Sequence, residues 1–231
     1  MSQVIGVIQA RMGSSRLPGK ALLPLAGKPL VWHIIDRMRR VHGVERIVLA
    51  TTADPRNDDL IDFVRGEGLD FFRQPVEDDI AGRIAGAIAP YPGDVVLKTG
   101  GDCPLIDPAV LQRMVDEGLN DPAADFISNR VIWTYPQGLS ADVLSRRAIL
   151  WADKNLHTEQ DRELFATYLR DHPDQFKVVP ITQSENMSHH NWCVDTPEDM
   201  AFVTAIFDAL YREGECFGLA ETLAFLRRPA A

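Results

Sequence analysis

Short apolar runs alternate along the chain with longer stretches whose apolar positions recur at helical spacing. Val4 to Ile8 reads as a buried strand. Pro29 opens a helix, because proline's missing N–H costs nothing at a first helical position. Val31, Ile34, Ile35, Met38 and Val41 then follow at i, i+3, i+4, i+7 and i+10, one helical face. "RIVLATT" predicts a strand and "DPRNDDLIDFVRGEG" a helix with a glycine stop. "LDFFR" predicts a short strand, "EDDIAGRIAGAIA" a glycine-weakened helix and "DVVLKTG" another strand. "DPAVLQRMVDEG" predicts a helix and "ADFIS" a strand.

So regular an alternation predicts an α/β fold: a mainly parallel sheet flanked by helices. After Asn129 the rhythm loosens. "VIWTYPQGLSADVLS" predicts a loop or hairpin that leaves the main sheet. Helices are expected at Arg146 to Asn155 and Glu159 to Arg170, with late strands at "FKVVPI" and "NWCVD". Thr196-Pro197-Glu198-Asp199 resembles a capping box, and Met200, Val203, Phe207 and Leu210 line one face of the helix it starts. No Gly/Ser or Pro linker interrupts the chain. One domain over 1–231 is therefore expected, with residues 1–128 handling a ligand at the strand ends and 129–231 elaborating over the sheet.

Composition narrows the function. Of 231 residues 24 are cationic and 33 acidic, a net charge of −9, which argues against an extended nucleic-acid surface. Cys103, Cys193 and Cys216 are widely spaced with no CxxC, so a reducing cytoplasm fits better than a disulfide framework. No charged leader precedes a long apolar segment, and no stretch approaches the ~20 apolar residues of a membrane span.

The first strand runs into "ARMGSSRLPGK". Glycines and small residues let backbone N–H groups approach an oxyanion. Arg11 and Arg16 offer forked donors and Lys20 a mobile point charge, all suited to phosphate. Pro18 stiffens the loop. Ligand sites collect at the carboxyl ends of strands in open α/β sheets, so this loop is a phosphate-site candidate rather than a merely solvated one. It is neither of two common phosphate motifs. Five residues, not four, separate Gly13 from Gly19, and Lys20 is followed by Ala21 rather than Ser or Thr, which excludes a Walker A loop. No G-x-G-x-x-G follows the strand either.

A triphosphate arrives with a divalent cation, and hard cations take carboxylate oxygens. Asp102 and Asp195 each sit just beyond a predicted strand, where they could share one Mg²⁺. Taken singly, Asp195 also suits the positive end of the following helix, and Asp102 a turn before Pro104. There is no Asp-x-Asp pair of the kind many glycosyltransferases use.

"IGVIQARMGSSRLPGKALLPLAGKPL", "GGDCPLIDP" and "WCVDTPEDM", in that order, resemble the spore-coat polysaccharide biosynthesis (SpsF-like) nucleotidyltransferases, relatives of the cytidylyltransferases that activate Kdo and sialic acids. The resemblance runs over nearly the whole chain. It implies a Rossmann-like, nucleotide-diphospho-sugar transferase (GT-A-like) fold, CTP as donor, a sugar acceptor and Mg²⁺ as cofactor. It also implies that Ala10, Arg11, Gly13, Ser14, Ser15, Arg16 and Lys20 bind the nucleotide, with Lys20, Arg16 and Arg11 catalytic, and that Asp102 and Asp195 hold metal. The family's acidic-then-Arg helix start maps onto Asp78, Asp79 and Arg83. By analogy a homodimer is expected, with the apolar segment after Asn129 as its interface.

Two segments depart from the family pattern. "YPQGLSADVL" stands where YPDGLDVEVF is common, so Ser140 replaces an acid. "RELFATY" stands where REHVTPY is common, so Leu164 and Ala166 replace His and Thr. The half that handles nucleotide matches, while the half that meets the acceptor drifts. The expected chemistry is attack by a sugar oxygen on the α-phosphorus of CTP with loss of pyrophosphate, in polysaccharide or glycoconjugate synthesis. The alternatives are another NTP with a sugar 1-phosphate, a non-catalytic nucleotide-binding protein, and a glycosyltransferase, which would release no pyrophosphate.

Overall fold

The computed structural model describes residues 3–227. Strand β1 (Val4–Gln9) is followed by the hairpin of β2 (Pro24–Leu25) and β3 (Lys28–Pro29), then by α1 (Leu30–Arg39), β4 (Val44–Thr52), α2 (Asp58–Gly66), β5 (Asp70–Gln74), α3 (Ile80–Ile88), β6 (Val95–Gly100) and α4 (Pro108–Asn120). The later half adds β7 (Phe126–Ser128), β8 (Ala141–Ser145), α5 (Arg146–Asn155), α6 (Glu159–Glu163), α7 (Phe165–Asp171), β9 (Val178–Pro180), α8 (Pro197–Leu210) and α9 (Leu219–Leu226).

Seven strands form one sheet in the order β5-β4-β1-β6-β8-β7-β9. Only β8 runs against its neighbours, pairing antiparallel with β6 and β7. Alternate side chains of each strand feed opposite layers. Val4, Ile8, Leu49, Leu97 and Val143 meet α1, α2, α4 and α8, while Ile5, Val7, Val48, Val96 and Leu144 meet α3, α5 and α7. The sheet is apolar on both faces, as a helix-covered, mainly parallel sheet requires. From β1 the chain winds outward through β4 and β5, then returns to place β6 on the other side of β1. The carboxyl ends of β1 and β6, paired at Gln9 and Gly100, are therefore the topological switch point.

The structure alters four expectations. "ADVLS" does not leave the sheet: it is β8, wedged between β6 and β7, while residues 129–140 alone form the loop. An inserted antiparallel strand has no sequence signal of its own, since its inward pattern matches that of any buried strand. "NWCVD" forms no regular strand and makes only a bridge from Asn191 to Gln137. Gly138 beside this bridge has φ +98°, and a Cβ there would lie 2.6 Å from the Trp192 carbonyl carbon, so bulk is excluded where the two segments touch. The helix at 159–170 breaks at Leu164 into α6 and α7. Pro29 caps α1 rather than entering it. The β2–β3 turn uses Ala26 and Gly27, both at positive φ, the geometry of a two-residue hairpin. Helix α9 carried no prediction.

Candidate active site

A cleft of about 300 Å³ opens at the switch point, walled by the loop after β1, the loop before α3, the turn after β6 and the segment before α8. The two central strands touch closely here. The Gly101 N–H donates to the Gln9 carbonyl at 2.8 Å, and a Cβ on Gly101 would lie 2.3 Å from that of Ala10. The loop after β1 is held from behind. Buried Asn57 accepts a hydrogen bond from the Met12 N–H at 2.8 Å and donates its amide to the Thr52 hydroxyl and carbonyl. The Gly19 N–H closes the loop onto the Met12 carbonyl at 3.0 Å.

Lys20 is the centre of the site. Its ammonium donates to Asp195 Oδ1 at 2.8 Å, to the Val194 carbonyl at 2.8 Å and to Asp102 Oδ2 at 3.2 Å. The chain ends of β6 and of the segment before α8 thus meet on one nitrogen. Burial alone would lower the Lys20 pKa, but Asp102 and Asp195 outweigh it and hold the ammonium above its ordinary value. Burial would raise the Asp195 carboxyl, yet Lys20 and Arg16, the latter at 3.0 Å, hold it below the usual range. Arg11 pairs with Glu77. Both arginines are largely in solvent, at 64% for Arg16 and 47% for Arg11, so these pairs are weak and exchangeable for a ligand's oxyanions.

Arg83 lines the cleft from α3 and is buried. It donates to the Glu77 carbonyl, and its Nε has no partner among the described residues. Burial, then the nearby charge of Arg11, lowers its pKa. A buried guanidinium with an unspent donor is suited to a ligand's oxygen. Ala10, Ser14, Ser15 and Asp78 also line the cleft.

Two sequence-selected residues lie elsewhere. Asp79 turns inward: it caps α3 by accepting from the Gly82 N–H at 2.8 Å, accepts from Gln74 at 2.7 Å, and takes a forked pair of bonds from Arg162 at 2.8 and 2.9 Å. Its oxygens are engaged within the fold, and it does not line the cleft. Gly13 faces the Arg56 guanidinium, where a Cβ would lie 3.1 Å from Nη2, and does not line the cleft. Conversely, Gln9, Glu77, Gly101 and Glu163 line the cleft without having been selected. Glu77 stands beside the Asp78–Asp79 pair and Glu163 in the "RELFATY" segment, so both lay next to a legible signal.

The acidic lining changes the electrostatics. Arg11, Arg16, Lys20 and Arg83 are met by Glu77, Asp78, Asp102, Glu163 and Asp195, so the cationic loop does not make a cationic cleft. A triphosphate would meet a slight excess of negative charge there. A divalent cation fits this donor set: two carboxylates already converge on one positive centre, and they are part-exposed toward the cleft. Among the described residues no three His, Cys, Asp or Glu side chains cluster as a metal cage. Behind the aspartates, Cys103 and Cys193 lie 3.6 Å apart as free thiols. The Cys193 contact and burial push the Cys103 thiol well above its ordinary value, consistent with a packing role.

A profile of the Cytidylyltransferase family matches residues 5–223, and the chain belongs to that family. Among its relatives is the spore coat polysaccharide biosynthesis protein SpsF of Bacillus subtilis, 27% identical, covering 90% of this chain and 87% of that one. The 3-deoxy-manno-octulosonate cytidylyltransferase of Trichlorobacter lovleyi is 35% identical over 120 residues, about half of each protein at 52% and 46%. A cytidylyltransferase structure from Leptospira borgpetersenii superposes with a TM-score of 0.91 at 25% identity, covering 98% of this chain and 94% of that one. The fold is the nucleotidyltransferase fold that the motifs imply. No helix among the described residues is long and apolar enough to cross a membrane.

Proposed function

We propose that this protein transfers CMP from CTP to an oxygen of an acidic or modified sugar, releasing pyrophosphate, in the cytoplasmic stage of surface polysaccharide or glycoconjugate synthesis. The observation that carries the reading is the convergence of Lys20, Asp102 and Asp195 at the switch point between β1 and β6. CTP is the donor that family membership favours.

In this reading Arg11 and Arg16 release Glu77 and Asp195 and take the β- and γ-phosphates. Lys20 stays beside the α-phosphate, where its charge offsets that which develops as the P–O bond to pyrophosphate breaks. Arg83 adds the donor it has unspent. Asp102 and Asp195 would hold Mg²⁺, which when bound neutralises phosphate charge and aligns the leaving group. The rate gain is positioning plus electrostatics, as in other transfers to phosphorus. The 1–128 part supplies the nucleotide end and the 129–231 part the acceptor end. A homodimer through the loop bearing exposed Ile132 and Trp133 belongs to the same proposal.

The test is the phosphorus product. With CTP, Mg²⁺ and acidic sugars, 31P NMR should show pyrophosphate and a new sugar-linked CMP phosphorus. Orthophosphate with CDP would contradict the reading.

A further inference from the structure

A second cleft, of about 280 Å³, shares Gln9 and Asp102 with the first and extends from them across β6 to β8. Its floor is one polar row across three strands. Lys98 on β6, Asp142 on β8 and Ser128 on β7 are directly opposed in register. Two residues further from this edge, Val96, Leu144 and Phe126 form the parallel apolar row within the core. The sheet face thus changes from apolar to ionic where it reaches the cleft. Because β8 runs antiparallel, its first residues lie on the same edge as the ends of β6 and β7, which is what brings Asp142 there.

Arg130, just after β7, joins the row, so two cations face its one carboxylate. Asp142 is the only acid in it and is buried, its side chain 2% exposed. Its Oδ1 accepts from the Ser128 hydroxyl at 2.7 Å, and its Oδ2 from Arg130 at 2.6 Å and Lys98 at 3.3 Å. The carboxylate is fully used by the protein. Its two cations are not: each spends one side-chain donor on it, leaving two on the ammonium and four on the guanidinium. Lys98 and Arg130 reach the cleft at 14% and 37% exposure, while the acid that fixes them lies beneath them in its floor, all but covered. Ser140 lines the same cleft and is neutral; the other acid there is Asp102, at the edge shared with the first cleft, and it is already paired with Lys20 at 3.2 Å.

We propose that this second cleft is the acceptor site, and that Lys98 and Arg130, fixed by buried Asp142, bind an anionic group of the acceptor, a carboxylate or a phosphate monoester. The proposal rests on the cytidylyltransferase reading for the word acceptor, but the anion site stands on its own geometry. An oxygen of a sugar so held lies toward Asp102, the edge shared with the nucleotide cleft.

Calorimetric titration of the full chain tests this, with and without saturating Mg²⁺ and an α,β-methylene analogue of CTP. The probes are 3-deoxy-manno-octulosonate, glucose 1-phosphate and neutral mannose. One of the two anions should bind at least about tenfold tighter than mannose, and Arg130→Gln and Lys98→Gln should each weaken it about tenfold. Lys98→Arg should retain it. The anion that responds tells carboxylate from phosphate. Nucleotide affinity should stay within about twofold in both variants, since neither side chain lines the first cleft. Equal binding of anion and mannose, or unchanged anion affinity in both variants, overturns the proposal. Failure of the analogue to bind wild type would instead count against the cytidylyltransferase reading, because the titrations without nucleotide still report the anion site.

Discussion

The two clefts share an edge but hold their cations in opposite ways. In the first, Arg11 and Arg16 sit on a loop, in solvent, paired with acids they can give up. In the second, Lys98 and Arg130 are tied to a buried carboxylate in the middle of the sheet. An exposed pair is worth little and exchanges easily. Removing one partner of a buried pair leaves an uncompensated charge and is costly. The first arrangement suits a ligand that brings several charges and leaves as a product. The second suits a single fixed charge that selects what enters. Lys20 lies between these extremes, 12% exposed and held by two acids that are themselves open to the cleft.

Substitutions can break this contrast. The largest effect is expected at Lys20→Ala and Asp102→Asn. Each should lower turnover by about 10²–10³-fold, as loss of a charge-stabilising group does, while near-UV circular dichroism stays native. Near-normal turnover in both would remove these residues from the chemistry.

Asp142→Asn should come next, acting on stability, with a loss of about 3 kcal/mol in urea unfolding at neutral pH. Burial would raise the Asp142 carboxyl, but Lys98 and Arg130, helped by Ser128, hold it below its ordinary value. A carboxyl depressed in the folded state contributes fully above the unfolded value, ~3.9, and loses that contribution as pH falls through the folded value. The stability gap between wild type and Asp142→Asn should therefore be flat above about pH 5 and close below about pH 4. A gap that widened on acidification would contradict the sign.

Arg16→Ala should weaken CTP binding by about tenfold and change stability by no more than about 0.5 kcal/mol, since its native pair is exposed. A large stability loss without an affinity change would mean that the loop cations are structural. The smallest effect separates Asp79 from the site. Asp79→Ala should cost about 1 kcal/mol of stability through the lost α3 cap and Arg162 pair, and leave nucleotide affinity unchanged. Weakened binding at unaltered stability would put Asp79 in the nucleotide set.

The sequence was most legible where one local signal and one tertiary role coincide. The alternation of β1, β4, β5 and β6 with their helices follows directly from periodicity, and the loop after β1 is readable because Gly, Ser and cations sit in consecutive positions. Asp102 and Asp195 were selected from strand ends 93 positions apart, and the fold does bring them to one nitrogen. Asp79 is ambiguous in the sequence because a helix cap and a ligand-binding acid use the same residue type at the same place. Only its partner Arg162, 83 positions away, distinguishes the two. β8 was placed outside the sheet because antiparallel insertion depends on pairing across long separations, which local pattern does not encode. For the same reason the Lys98–Asp142–Ser128 row was invisible: each residue is an ordinary polar position until register aligns the three.

The most direct measurement is thermal unfolding of the protein with CTP, UTP, GTP, ATP and dTTP, each with and without Mg²⁺. A ligand at 100 times its Kd adds about 2.7 kcal/mol of stability, which is readily seen. A cleft with a slight acidic excess should accept a triphosphate poorly alone and well with the divalent cation, so stabilisation should be largest for CTP and should depend on Mg²⁺. If no nucleotide stabilises the protein under either condition, the cleft between β1 and β6 is not a nucleotide site and the proposed chemistry falls with it.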